Sequence, residues 1–336
     1  EHRSKRAVCR KSGRSPQTGS ETFLQSKGAR MKWKKKGVLY CPNGENEWAN
    51  NSALQPTPIL LNDKTLRIYL GFRSAQGIGR IGFIDVNPDN PSEVLNVCDA
   101  PALDIGLPGC FDENGVIPCA ALEENGKIYL YYAGYQLGQK IRFTVFGGLA
   151  VSNDGGTVFE RLKQTPVVDR TDKELFFRVI HSIMKEDETY KVWYGGGSHF
   201  LQGKDKTFPC YDIRYMESDT LFKFQETFTV ALEAAPHEYR VGRPYVFKEN
   251  GLYKMFFGAS SEAVPYELSY AESPDGINWV RKNDEVGIEA SDQDWDSQMT
   301  AYPAVIHYKN KTYMFYNGND YGRTGVGYAE RVHTKE

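Results

Sequence analysis

The stretch KIYLYYAG (residues 127–134) alternates tyrosine with aliphatic residues and ends on glycine. Four others share its plan: LRIYLGF (66–72), TYKVWYGGG (189–197), LYKMFFGA (252–259) and TYMFYNG (312–318). Aligned on Tyr69, Tyr129, Tyr190, Tyr253 and Tyr313, they recur at spacings of 60, 61, 63 and 60 residues. Self-similarity at a fixed period is the sequence mark of a repeat architecture.

Working outward, each copy follows an apolar segment: TPILL (57–61), IPCAAL (117–122), VIHSIM (179–184), RPYVF (243–247) and YPAVI (302–306). A short polar turn separates the two, which predicts a hairpin. A third strand follows, as in RIGFIDV, GLAVSND, DIRYMES, LSYAESPDG and GVGYAE, and then a fourth that opens on an aromatic, as in VFERL, FKF and INWVRK. Asp154-Gly155 and Asp275-Gly276 are the hairpin chemistry between them. Four antiparallel strands per unit make a propeller blade. The expected fold is therefore all-β, a five-bladed β-propeller over residues 31–333. The last unit lacks a fourth strand, and Met31-Lys32-Trp33-Lys34-Lys35, which resembles Ile277-Asn278-Trp279-Val280-Arg281, is expected to supply it and cover the open edge. WD40 repeats are shorter, about 40–45 residues, and carry Gly-His and Trp-Asp pairs that do not recur here.

The chain has 336 residues, 40% of them hydrophobic, with no apolar run long enough to suggest a membrane span. Residues 1–30 hold eight Lys/Arg against two Asp/Glu, a net of +6; the whole chain is at −2, which leaves −8 for the remainder. This basic, Ser-rich segment reads as a disordered, upstream-translated or added leader, and the acidic body argues against nucleic acid as a partner. Six cysteines (Cys9, Cys41, Cys98, Cys110, Cys119, Cys210) show no CxxC spacing. They are expected to be reduced thiols of a cytoplasmic protein. No HExxH, GxSxG or P-loop is present. No metal and no cofactor is expected.

In a propeller the innermost strands line the axis, so polar residues just before or within them are the candidate site. They are Trp48 and Gln55, with Arg73 after the second strand; Asp112, Glu113 and Asn114; Arg178 and His181; Glu238, Arg240 and Arg243; and Asp296, Tyr302, Asn317, Asn319 and Tyr321. Unlike polar groups at equivalent places suit a sugar, whose hydroxyls need donors and acceptors and whose apolar face stacks on rings. Asp112 and Glu113, opposed by Asp296 or Glu238, are the candidate acid and base of glycosidic cleavage. The arginines would orient the substrate, a small sugar, an oligosaccharide or, through a phosphate, a sugar phosphate.

GCFDENGVIPCAAL, GLAVSNDGGTVFERL, YKMFFGASSEAVPYELSYAESPDGINWVRK and WDSQMTAYPAVIHYKNKTYMFYNGNDYGRTGVGYA resemble the five-bladed glycosidase-like propellers of arabinanases, xylosidases, invertases and mannoside phosphorylases. Within these they look most like a bacterial branch associated with surface-polysaccharide biosynthesis. The resemblance covers about residues 31–333. It implies a carbohydrate-active protein, with hydrolysis of a glycosidic linkage first; a transferase or phosphorylase, or a non-catalytic glycan-binding propeller, are the alternatives. It also implies an Asp on the first innermost strand and a Glu on the third, but ALQPTPILL and FFRVIHSIM hold neither. Only Asp112 matches the second-blade Asp, Gln298 stands where the branch commonly has Glu, and the Glu-Asp-Pro-Arg element of the phosphorylases is absent. Function therefore has to come from the site rather than the fold.

Overall fold

The computed structural model describes residues 30–332. The basic leader expected at residues 1–30 lies almost wholly outside the described residues. β1 (Trp33–Tyr40) precedes sets of consecutive antiparallel strands. The first set is β2 (Asn51–Asn62), β3 (Thr65–Arg73), β4 (Gly79–Asn87) and β5 (Asn90–Val97). Next come β6 (Val116–Glu124), β7 (Lys127–Leu137), β8 (Phe143–Ser152) and β9 (Glu160–Arg161), then β10 (Phe177–Glu186), β11 (Thr189–Gln202), β12 (Thr207–Ser218) and β13 (Thr229–Leu232). After β14 (Arg240–Glu249), β15 (Leu252–Ser260), β16 (Glu267–Ser273) and β17 (Val280–Arg281), the chain ends in β18 (Ala301–Tyr308), β19 (Lys311–Asn317) and β20 (Val326–Arg331). β1 pairs antiparallel with β20, Trp33 opposite Arg331, and so completes the last sheet in the order β1-β20-β19-β18.

Each first hairpin closes through two residues, and Asn125, Asp187, Asn250 and Lys309 take positive φ there, as a tight hairpin matched to strand twist requires. Counting from these turns corrects the tyrosine alignment. Tyr129 and Tyr313 are the third residues of their strands, Tyr69 the fifth, but Tyr190 and Tyr253 are the second. An odd offset turns a side chain to the other face of the sheet. The sixth position is the consistent one: Leu70, Tyr132, Tyr194, Phe257 and Tyr316.

The core lies between sets. One apolar cluster joins Tyr69 and Phe83 to Leu130 and Tyr132, the next Tyr131 to Val192 and Tyr194, then Trp193 to Phe257, then Phe256 to Tyr316. The last packs Tyr313 and Phe315 against Leu66 and Phe72, which returns to the first set. The innermost strands likewise touch in the cyclic order β2, β6, β10, β14, β18 and back to β2. This is an all-β propeller, each sheet burying its face on its neighbours.

Candidate functional site

Every innermost strand carries an irregularity at the same depth. Its pairing slips between Leu54 and Thr57, Pro118 and Ala120, Ile180 and Ser182, Gly242 and Tyr245, and Ala301 and Ala304. The residues at the slips are Gln55, Cys119, His181, Arg243 and Tyr302. Gln55, Arg243 and Tyr302 take positive φ, each just before a proline. A bulge re-aims its side chain, and here four of the five line one cavity around the axis, of about 330 Å³.

Arg243 crosses the axis. It donates from Nη1 to the Cys119 carbonyl and from Nη2 to the Pro56 carbonyl and Thr57 Oγ1, both at 3.0 Å. It thus ties three strands together, with no carboxylate beside it, and its Nε is buried without a partner. His181 sits close by. Burial and the Arg243 charge hold its imidazole well below its ordinary pKa, so it is neutral at pH 7. Nδ1 is buried without a partner, and the His181 ring is part of the cavity lining.

The wall above carries more cations: Arg73 from the end of β3, Arg142 ahead of β8, Lys206 from the hairpin between β11 and β12, and Arg240 from the start of β14. Tyr135, Tyr211, Tyr266 and Tyr321 stand between them, and among the described residues no Asp or Glu lines the cavity. Arg240 is nine-tenths buried, donates to Ser260 Oγ, and lies 4.7 Å from the Tyr266 ring centre. Among the described residues, the arginines with no carboxylate at ion-pair distance are Arg73, Arg142, Arg170, Arg240 and Arg243, and four of these five line this cavity. Two of the four, Arg240 and Arg243, are buried, where solitude is expensive, and cations left unpaired in one concave place make it a candidate site for an anion.

The expected acid–base residues lie elsewhere. Asp112 is fully buried and accepts from Arg161 Nε at 2.8 Å and Tyr132 Oη at 3.1 Å. Its other oxygen has no partner and faces Gly106, not the axis. Asp296 repeats the arrangement, accepting from Lys35 Nζ at 2.6 Å and Tyr316 Oη at 2.9 Å. Glu238 is held by both terminal nitrogens of Arg281, whose guanidinium lies over Phe257. The fourth member escaped the sequence analysis: Glu174 takes Tyr194 Oη at 2.7 Å and ion-pairs with Arg214 and Arg178 at 3.0 and 3.1 Å. Each is one clasp: an acid ahead of the innermost strand, a cation from an outer strand and the aromatic at the sixth position of the second strand. The first set has Leu70 at that position and no acid clasp. Within β11 the clasp passes beneath Gly196, where a Cβ would lie 2.5 Å from Arg214 and 2.8 Å from Glu174.

The remaining candidates divide the same way. Gln55, Arg73, His181, Arg240, Arg243, Tyr302 and Tyr321 are brought together in the cavity. Arg178 is spent on Glu174. Asn317 is wholly buried and bonds Ala53, Gln55 and Gly325, stitching the last set to the first. Asn319 and Asn114 hold loops through Gln298 and Leu137. Glu113 is half-buried and accepts from Gly109 and Gln136, which keeps its carboxyl below the usual range. Trp48 lines a separate groove with Glu47 and Arg80. Arg142, Lys206, Tyr135, Tyr211 and Tyr266 were not anticipated, because they sit on strand extensions and hairpin tips that do not repeat.

No protein-family model matches the chain. Solved structures with this fold include an α-L-arabinofuranosidase from Lactobacillus brevis, TM-score 0.65 at 9% identity, over 84% of this chain and 91% of that one. A thermostable family-43 glycoside hydrolase matches with TM-score 0.61 at 17% identity, over 85% and 91%. These likenesses establish a glycoside-hydrolase-type propeller fold. In sequence, the chain is 31% identical over 300 residues to "Uncharacterized protein Rv1502" of Mycobacterium tuberculosis, covering 89% of this chain and 99% of that protein. At that identity over nearly the whole of both proteins, the chain belongs to the Rv1502 family.

Proposed function

We propose that the chain is a glycosidase-like, carbohydrate-active propeller of five blades whose axial funnel takes a glycan bearing several acidic groups. The observation that carries this is the set of cations without carboxylate partners in a cavity that, among the described residues, no Asp or Glu lines. They come from four different sets: Arg73, Arg142, Lys206, and Arg240 with Arg243. Cations spread around a wall suit charges spaced along an oligosaccharide better than one phosphate. The intervening tyrosines offer rings to the sugar faces and hydroxyls to its oxygens. Hydrolysis in bacterial polysaccharide metabolism is the reading favoured by the fold. A paired-carboxylate mechanism, however, would have to draw its acids from outside this cavity.

The test is calorimetric titration with trigalacturonate and with neutral maltotriose at low and high salt. The acidic trisaccharide is expected to bind and to weaken as salt rises, while the neutral one binds at least about tenfold more weakly, a difference of about 1.4 kcal/mol. Equal affinity for both, independent of salt, would overturn the proposal.

A further inference from the structure

We infer that the funnel cleaves its glycan by β-elimination beside a uronate carboxylate; this rests on the acidic-ligand reading above. Among the described residues, the proton-transfer groups that line the cavity are His181, Lys206 and the tyrosines, without a carboxylate. Several stand along one wall. Phe177 separates His181 from Tyr211, its ring centre 6.2 Å from the first and 4.4 Å from the second. Tyr211 Oη meets Tyr266 Oη at 2.5 Å, and the Arg240 guanidinium lies over the Tyr266 ring. A neutral imidazole, a coupled hydroxyl pair and a buried arginine without a carboxylate thus share one surface.

Each has a part in elimination. Arg240 pairs the C5 carboxylate of the uronate and stabilises the charge that develops as C5 loses its proton. His181 Nε2 takes that proton, and the negative ligand offsets the Arg243 charge that otherwise opposes an imidazolium. The C5–H electron pair becomes the C4=C5 double bond, the C4–O4 bond breaks, and O4 leaves with the proton of the Tyr211–Tyr266 pair. Imidazolium then returns its proton to the tyrosinate through solvent. No water is consumed and no co-reactant is required.

The experiment incubates the full chain with oligogalacturonides, oligoglucuronides and oligomannuronates, following near-ultraviolet absorbance of the unsaturated product and product masses. The expected new ends are 4,5-unsaturated and one water lighter than hydrolytic ends. Tyr266→Phe keeps the ring that packs on Tyr302 and Tyr321. It should bind within about threefold of the parent while turnover falls at least about 100-fold. His181→Gln should behave alike, with its binding titration reporting an intact funnel. Saturated, hydrated ends would overturn elimination and leave the acidic-ligand reading standing, as would binding without turnover by the unmodified chain. Failure of all three probes to bind would overturn both.

Discussion

Two regions of the propeller treat charge in opposite ways. Behind the innermost strands, Asp112, Glu174, Glu238 and Asp296 are each matched to a cation, and three of them to a tyrosine hydroxyl as well. Along the axis, Arg73, Arg142, Arg240, Arg243 and Lys206 have no such match. A matched buried pair has its fields satisfied and holds elements together; an unmatched buried cation keeps its capacity for a partner that the chain does not supply. Arg240 and Arg243 are buried as Asp112, Glu174 and Asp296 are, whereas Arg73 is half-buried and Arg142 and Lys206 are exposed. Pairing is what distinguishes structure from site.

The largest effect expected from breaking this contrast is at Glu174, which serves two arginines. Glu174→Gln leaves Arg178 and Arg214 buried with one charge too few, and should lower unfolding free energy by about 3–5 kcal/mol, read by denaturant titration. Trigalacturonate affinity should hold, because Glu174 does not line the funnel. At the axis, the effect sits in the pH dependence. The His181 pKa is depressed in the folded state, so below the unfolded value the unfolded chain binds the extra proton and stability falls as pH drops. His181→Gln should remove a slope of about 1.4 kcal/mol per pH unit below about pH 6.5, compared by unfolding at several pH values. A smaller effect marks the outer hairpins. Burial raises the Glu186 carboxyl, but hydrogen bonds from Tyr253, Lys191 and Lys248 outweigh it and hold the pKa at about 2. That stability is present above the ordinary carboxylate value and lost as pH falls towards 2. Glu186→Gln should cost about 1 kcal/mol at pH 7, discounted for its exposure, and little in strong acid.

How far the sequence could be read follows from what repeats. The apolar–turn–aromatic units carry enough copies to expose the ring, its hairpins and the closing role of Trp33. The tyrosine alignment slipped by one residue in two copies because spacing alone does not see the hairpin, whereas Asn125-Gly126 and Asn250-Gly251 mark it. The recurrence of the acids was hidden because Asp112, Glu238 and Asp296 stand at unequal distances from their strands, so one recurrent clasp looked like a set of different groups. Its signature was the distant partner, Arg161, Arg281 or Lys35, on the outermost strand. The axial residues did leave a trace: Gln55-Pro56, Arg243-Pro244 and Tyr302-Pro303 put proline inside apolar strands, where it signals a bulge. Arg142, Lys206 and Tyr266 left none, since segments outside the repeat have no register to place them.

We propose that unpaired cations mark the ligand site and paired acids hold the blades. This is tested most directly by measuring thermal unfolding and trigalacturonate affinity together on Arg240→Gln and Asp112→Asn. The account predicts a crossed result: Arg240→Gln loses about 2 kcal/mol of binding with little change in unfolding temperature, and Asp112→Asn loses about 3 kcal/mol of stability with affinity intact at a temperature where it is folded. If Asp112→Asn abolishes binding while folded, or Arg240→Gln binds as the parent does, the division of the molecule into clasp and site is contradicted.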